Sequence, residues 1–435
     1  MELTLLQLTD VLKISFRADE LSLLFAALTT VMWILVGIYS FGYMAHEERK
    51  ARYAFFYVLV YVVLLGLDFS ANLITMYLFY ELMTLSSLPL ILHEMKAESI
   101  SAAMKYLYYS IAGAFLALFG IFVLSQYAPT MEFVAGGCSF ADMVAHRGLI
   151  LAAVFCMILG FGAKAGMFPL HAWLPIAHPV APAPASAVLS GVITKSGVLA
   201  IIRIVFYLAG ADMIRGSWVQ ISWMVLTLVT VLMGSMRAFD EKVLKKRLAY
   251  STVSQVSYVL FGLSTLHPVG VAGALLQVIF HSVAKNLLFM GAGSIIHQAG
   301  YTRVTELRGI GRKMPVTIGC FAFASLSLVG IPPFAGFFSK WYLALGSLQS
   351  GMAGFSWMGP VILLVSALLT AGYLFPIAVQ GFLPGKEFDK TPLKKCEAGL
   401  NMTIPMMILA LASLFLGIFS NSLIGWLELL AQSLM

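Results

Sequence analysis

The sequence predicts an all-α polytopic membrane protein with about twelve transmembrane helices. Its 435 residues are 60% hydrophobic and only 11% charged, with a mean hydropathy of +0.92, whereas soluble domains are about half apolar and a quarter charged. Apolar runs close to the roughly 20 residues that cross a bilayer recur along the chain. Residues 1–435 are therefore expected to form one membrane domain rather than several soluble domains.

The apolar runs fix the expected positions of the helices. We place them near 20–42, 53–67, 70–92, 103–126, 149–169, 184–209, 218–236, 248–265, 270–297, 315–349, 357–383 and 402–430. The 315–349 run is too long for one straight helix. Because proline disrupts a helix interior, Pro332 and Pro333 within GIPPFAGFFSK are expected to break it.

The Lys and Arg residues divide unequally between the loops on the two sides. Of the 27, eighteen lie in the loops at 43–52, 93–105, 237–247, 298–314 and 385–395, four lie in the opposite loops, and five lie within apolar runs. Because cytoplasmic loops carry the excess of Lys and Arg, the first set is expected to be cytoplasmic, with both termini on the other face. Topology thus accounts for the net charge of +7, and no nucleic-acid partner is predicted.

Neither a metal site nor a cofactor site is predicted on this chain. The cysteines are scattered singly, without metal-ligand spacing, at Cys138, Cys156, Cys320 and Cys396. No Fe–S, flavin or nucleotide motif occurs in the sequence. The first 17 residues contain charged residues and no long apolar core, so no signal peptide is expected.

Ionisable side chains interrupt the apolar runs of five helices. They are Glu81, Lys164, Lys195, His281, Lys285 and Lys340. A charged side chain at the centre of a membrane helix costs about 2.5–3.5 kcal/mol on insertion scales. A contribution to folding therefore does not explain why six ionisable residues occur within apolar runs. Desolvation favours the neutral amine of a lysine and a nearby carboxylate favours the ammonium. A chain of protonatable sites is therefore indicated, in which His281 and Lys285, four residues apart, share one helix face.

Several of these charges also have a structural interpretation. Glu81 or Lys164 taken alone could belong to an ion pair. Arg203 lies late in its helix and is expected to reach the membrane interface, and Asp68, in a turn, is expected to be solvated.

Each half of the chain contains an interrupted helix with a lysine near the interruption. Lys164 is five residues before Pro169, and Lys340 is seven residues after Pro333. Irregular backbone at membrane depth is tolerated only where it is buried in protein or lines a cavity. Either proline alone could mark a simple kink, but the pair is typical of a transporter with internal repeats.

Four stretches carry a resemblance to a known family. They are FGAKAGMFPLHAWLPIAHPVAPAPASAVLSGVITKSGVLAIIR (161–203), YELM with Glu81, HSVAKNLLFMGAGSI (281–295) and GIPPFAGFFSK (330–340). Together they resemble the antiporter-like subunits of respiratory complex I, of Mrp-type sodium/proton antiporters and of energy-converting hydrogenases and formate hydrogenlyase. The resemblance covers roughly residues 20–430, and HPVAPAPASA is more similar to the hydrogenase and Mrp-type branches.

The resemblance implies two inverted five-helix repeats, each with a broken helix, here 53–209 and 218–383. It implies roles for the same residues: a glutamate of the first half-channel, a proton-carrying lysine, a central lysine, a histidine–lysine pair and a terminal lysine, at Glu81, Lys164, Lys195, His281, Lys285 and Lys340. His171 and His178 match histidines of the loop after the first broken helix. Larger members have two more helices before the first and a lateral C-terminal helix, so this chain looks shortened.

The resemblance further implies translocation of protons, possibly coupled to sodium, in a prokaryotic cell membrane. The chain would be the non-redox, ion-pumping subunit of a complex such as an energy-converting hydrogenase or a complex I-like oxidoreductase. Partners would be other membrane subunits and a peripheral redox arm on the cytoplasmic face, with Fe–S clusters, flavin or Ni–Fe on those partners. The alternatives are an Mrp-type antiporter subunit without redox chemistry, a stand-alone transporter of a small solute, and an inert scaffold subunit.

Overall fold

The computed structural model describes residues 2–7, 13–140, 143–385 and 396–435, and these residues are mostly helical. A hairpin of β1 (Glu2–Gln7) and β2 (Lys13–Arg17) precedes the helices. The helices are α1 (Glu20–Tyr43), α2 (Lys50–Asp68), α3 (Leu73–Ile91), α4 (Ala97–Tyr127), α5 (Met143–Ala165), α6 (Trp173–Val180), α7 (Ala183–Ala209), α8 (Trp218–Asp240), α9 (Leu244–Ser264), α10 (Pro268–Ala299), α11 (Pro315–Val329), α12 (Gly336–Gln349), α13 (Phe355–Phe382), α14 (Leu400–Ile418) and α15 (Ser420–Ser433). Short helical turns lie at Met44–His46, Ala211–Ile214, Val304–Leu307 and Ile310–Lys313.

Helix length and composition confirm a multi-pass membrane protein. Ten of the described helices are long and apolar enough to cross a membrane: α1–α5, α7, α8, α10, α13 and α14. The total of twelve spans, the inverted relation of the repeats and their limits at 53–209 and 218–383 stay predictions.

One of the expected helices ends early, before a break in the chain, and two others are divided. The 149–169 run forms α5, which ends at Ala165 and is followed by a turn and α6. The 315–349 run is divided into α11 and α12, as predicted. Gly330 ends α11 in the left-handed conformation, with φ of 91°, which glycine adopts without steric cost. The 402–430 run differs from expectation, because α14 ends at Ile418 and α15 begins at Ser420.

α7 and α10 form the centre of the bundle. The apolar stretch of each is buried completely within the protein, whereas that of α4 is only 39% buried. Small side chains allow this close packing: a side chain at Gly191 of α7 would collide with Asn286 of α10. α7 also contains two π-helical segments, Leu189–Ile193 and Arg203–Ala209.

The N-terminal hairpin attaches to the turn between α2 and α3. The Arg17 amide donates to the Phe69 carbonyl at 2.8 Å, and the Ala71 amide donates to the Ser15 carbonyl at 3.0 Å. The sequence interpretation missed this hairpin, because its strands are only six and five residues long. It places the segment before α1 against the end of α2.

α4 and α5 pack with their backbones in contact at a pair of glycines. A Cβ atom at Gly113 would lie 2.5 Å from the carbonyl oxygen of Gly160, and one at Gly160 would lie 2.8 Å from the amide nitrogen of Ala117. Such separations are far shorter than normal van der Waals contacts. This close approach holds α5, and with it Lys164, against α4.

Gly160→Leu is therefore expected to destabilise the protein, because overfilling a packed interface costs about 1–3 kcal/mol. The melting temperature of the detergent-solubilised protein should fall. Gly148→Leu is the matched control on the same helix, because a Cβ atom at Gly148 meets no atom within 4 Å. Equal melting temperatures for the two variants would contradict the packing argument.

Candidate functional site

Lys164 lies in the last turn of α5, next to the first break, and its amine is held by hydroxyl groups. Its Nζ donates to Thr84 Oγ1 at 2.9 Å, Tyr106 Oη at 2.8 Å and Ser110 Oγ at 2.9 Å. The side chain is only 1% exposed. Three acceptors satisfy the three donors of an ammonium group, and each acceptor carries an exchangeable proton. The site can thus hold a proton and pass it on.

Glu81 lies near this amine but does not pair with it directly. It is on α3, three residues before Thr84 and therefore on a neighbouring part of the same helix surface. Its Oε1 atom is buried and has no hydrogen-bond partner among the described residues, and the hydroxyl groups occupy the donors of Lys164. The carboxylate is near enough to Lys164 for the two charges to interact without a direct hydrogen bond.

Lys195 and His281 meet at the centre of the bundle. Lys195 Nζ lies 2.7 Å from His281 Nδ1 and donates to the Ser190 carbonyl at 2.6 Å. Both side chains are at most 2% exposed. Ser190 belongs to the π-helical segment Leu189–Ile193, and such segments are frequent at functional sites. The contact joins α7 to α10 by a bond that can carry a proton.

Lys285 lies one turn after His281 on α10 and is fully buried. Its Nζ donates to the Leu248 carbonyl of α9 at 2.9 Å. The structure therefore keeps the predicted pair on one helix, but it gives each member its own partner on a different helix.

The two loop histidines differ in their surroundings. His178 of α6 is fully buried, stacks on Phe289 at 4.7 Å between ring centroids, and has no hydrogen-bond partner for either nitrogen among the described residues. It interacts electrostatically with Lys195, Lys245 and Lys285. His171 is only partly buried and stacks on Phe168. His178 is thus the histidine close to the central lysines.

Lys340 lies in the first turns of α12, just after the second break. Its Nζ donates to the carbonyls of Leu328 and Val329, the last residues of α11, at 2.5 and 2.6 Å. The last carbonyls of a helix have no intrahelical donor and carry partial negative charge that favours a cation. Lys340 is therefore held by backbone carbonyls, whereas Lys164 is held by hydroxyls.

Uncharged side chains that the sequence interpretation missed lie between the centre and the second break. Gln277 donates to Gln255 at 2.9 Å and accepts a hydrogen bond from Ser339 at 2.6 Å. Gln277 is one turn before His281 on α10, and Ser339 is next to Lys340. Neutral amides in an apolar run are a weak sequence signal, although buried polar groups generally require partners.

The expectations that Arg203 reaches the membrane interface and that Asp68 is solvated are both wrong. Arg203 is 2% exposed and does not reach a solvated interface: it makes two hydrogen bonds to Asp19, at 2.7 and 2.9 Å, and one to Ser22 at 2.9 Å. Asp68 is 3% exposed rather than solvated, and it accepts a hydrogen bond from Thr29 at 3.0 Å. The reason lies in α1 and the residue before it, which supply Asp19, Ser22 and Thr29 as partners.

Comparison with protein families gives two matches. Residues 70–370 match the family described as NADH:quinone oxidoreductase/Mrp antiporter, TM, and residues 8–54 match that described as NADH-Ubiquinone oxidoreductase (complex I), chain 5 N-terminus. The first match contains all six candidate residues.

Individual relatives are similar over much of the chain. NADH-quinone oxidoreductase subunit N of Desulforudis audaxviator is 34% identical over 87% of this chain and 76% of its own length. Hydrogenase-4 component B of Escherichia coli is 32% identical over 76% of this chain, and the match spans half of that protein. A chain in the structure of the Mrp complex from Dietzia sp. DQ12-45-1b has the same fold, with a TM-score of 0.84, 22% identity and coverage of 98% of this chain and 85% of that chain.

The ion pair of Asp19 and Arg203 should make the stability of the protein depend on pH. Burial raises the pKa of Asp19, but the hydrogen bonds and charge of Arg203 outweigh burial and lower that pKa below its ordinary value. A lowered pKa means that the stabilisation is present above the ordinary value, about 3.9, and is lost as the pH falls through the folded-state value. The difference in melting temperature between the wild type and Asp19→Asn should be equal at pH 8 and pH 5 and should shrink below about pH 4.

The matched control is Asp212→Asn, whose contact with Arg215 is exposed and should contribute little at any pH. A wild-type advantage over Asp19→Asn that disappeared between pH 8 and pH 6 would contradict the assignment.

Proposed function

The chain belongs to the membrane family of NADH:quinone oxidoreductase and Mrp antiporter subunits, and we propose that it translocates protons across the membrane as one subunit of a larger complex. The single observation that carries the proposal is the contact of Lys195 with His281, at 2.7 Å between α7 and α10. Intramembrane ionisable residues that face the bundle interior commonly mark ion pathways. This contact connects two protonatable groups on the two candidate membrane spans whose apolar stretches are buried completely.

The proposed route begins at Lys164. Its three hydroxyl partners accept and return protons, so they supply a relay beside the amine. Glu81 sets the charge state of Lys164, because an opposite charge nearby favours the protonated amine. Protonation of Glu81 removes that support and releases the proton from Lys164 toward the centre.

The central step is proton exchange between Lys195 and His281. A bond of 2.7 Å holds one proton between two nitrogens, since one nitrogen must donate and the other accept. Lys285 continues the route along α10. Gln277, on the other side of His281 along α10, bonds to Ser339 and so connects this helix to α12, which carries Lys340, the terminal site. Bridging waters would complete the longer gaps, because water-mediated hydrogen bonds are nearly as favourable as direct ones.

The partners belong to the same proposal. Other membrane subunits would pack against the chain, because the relatives are named as subunits or components and one structural neighbour is an Mrp complex. A peripheral redox arm with Fe–S, flavin or Ni–Fe groups would drive transport from the cytoplasmic face, where most Lys and Arg residues lie. Both termini would then lie on the opposite face. Sodium is the second candidate ion, because the matched family includes Mrp antiporters.

Lys164→Ala is expected to abolish coupled proton movement, because the first relay loses its proton carrier. The complex should still assemble. Proton movement is measured with a pH-sensitive dye in membrane vesicles, and assembly by native gel electrophoresis. Lys105→Ala is the control, because Lys105 is an exposed lysine on α4.

Tyr106→Phe removes one of the three hydroxyl partners of Lys164 and should slow transport without stopping it. Full transport by Lys164→Ala would reject the route.

Purification of the native assembly distinguishes the two kinds of complex. We expect iron, flavin or nickel to copurify with the chain in mild detergent, because a redox reaction would supply the energy. Metal analysis and the list of copurified subunits give the answer. Small membrane subunits without metal would instead favour an Mrp-type antiporter, and sodium uptake driven by a proton gradient would then be the decisive assay.

A further inference from the structure

A groove between α12 and α15 lies apart from the proposed route. α12 contributes aromatic side chains at helical spacing, including Phe337 and Trp341, four residues apart. α15 contributes Asn421, Gly425 and Glu428, whose spacing of four and three residues places them on one face. The groove has a volume of about 490 Å³. It is therefore an open groove with one aromatic wall and one mixed wall.

Glu428 is the charged group of this groove. It lines the groove together with Tyr342, and within the described ranges no Lys or Arg lies within ion-pair distance of it. An ammonium group over an aromatic ring gains cation–π attraction, and a carboxylate adds a charge-assisted hydrogen bond. The lining is complementary to an organic ammonium ion.

A second cavity adjoins the first and has a different character. It has a volume of about 330 Å³ and shares Phe337 and Trp341 with the groove. Its lining includes Leu364 and the side chain of Lys340. Trp341 is 55% exposed and Leu364 is 64% exposed, so the cavity opens toward the outer surface of the bundle. The two cavities form a polar end and an apolar end on either side of the same two rings.

We propose that the groove binds one phospholipid of the phosphatidylethanolamine class. The primary ammonium of the headgroup contacts Glu428, and the exposed amide of Asn421 donates to the phosphate. One acyl chain crosses Phe337 and Trp341 and enters the second cavity. Charge complementarity selects this lipid over an anionic one, whose headgroup would meet an unpaired carboxylate.

The bound chain would insulate Lys340, a consequence that rests on the proposed function. Lys340 is held by carbonyls at the second break, and the second cavity opens beside it. Water there would connect the terminal proton site to the surface. Hydrocarbon in the cavity excludes that water and limits proton leak.

Lipid analysis of the purified native complex tests the binding. Three variants are compared with the wild type: Glu428→Gln removes the charge, Gly425→Leu fills the groove, and Glu98→Gln changes an exposed carboxylate elsewhere. A Cβ atom at Gly425 meets nothing within 4 Å, so the leucine has space. Phosphatidylethanolamine retained after delipidation is measured by mass spectrometry. We expect about tenfold weaker retention for Glu428→Gln, from the loss of one charge-assisted bond. Gly425→Leu should weaken retention because its side chain occupies the space of the lipid, and Glu98→Gln should change nothing.

Equal retention of phosphatidylethanolamine in all four proteins would overturn the proposal. Retention of an anionic lipid instead, or a partner subunit that covers the groove without lipid, would also overturn it. Transport separates this inference from the proposed function. Glu428→Gln should keep coupled proton movement and show a larger passive proton leak, whereas Lys164→Ala should lose movement and keep the lipid. Normal transport without any bound phosphatidylethanolamine would reject the lipid site and leave the proposed function standing.

Discussion

A buried amine must find hydrogen-bond acceptors inside the protein, and this bundle is arranged around that requirement. An intact helix offers few acceptors, since its own amides occupy most carbonyls. Two solutions occur here. Hydroxyl side chains from α3 and α4 surround Lys164, and the unpaired carbonyls at the end of α11 hold Lys340. The second break is thus the source of the acceptors, which explains why irregular backbone at this depth is tolerated.

The two solutions have different chemistry. A hydroxyl group accepts one hydrogen bond and donates another, so a proton that arrives on one side can leave on the other. A backbone carbonyl only accepts, so it stabilises the ammonium of Lys340 without offering a path onward. The proposed route therefore needs another group beside Lys340, and a bridging water would meet that need. Two lysines that look equivalent in the sequence need not perform the same step.

The sequence indicated the charged part of this arrangement and missed the neutral part. Lysine in an apolar run is improbable by chance, so Lys164 and the second break were recognised from composition and spacing alone. Gln277 was not predicted, because burying an amide costs far less free energy than burying a charge, so an amide in an apolar run is a weak signal. Arg203 and Asp68 were misread because their partners, Asp19, Ser22 and Thr29, lie far from them in the sequence and come close only in the folded chain. The hairpin was missed for a similar reason, because its attachment to the turn after α2 is set by tertiary contacts and not by local propensity.

The close contact of Lys195 and His281 limits how charge can be distributed along the proposed route. Two unit charges 4 Å apart repel by about 4 kcal/mol at an effective dielectric constant of 20, and these nitrogens are only 2.7 Å apart. Both groups cannot be protonated together at modest cost, so they titrate as one coupled pair. A proton arriving at Lys195 therefore favours departure of the proton on His281. Repulsion between neighbours, rather than any single site, would then move charge from the first half of the chain to the second.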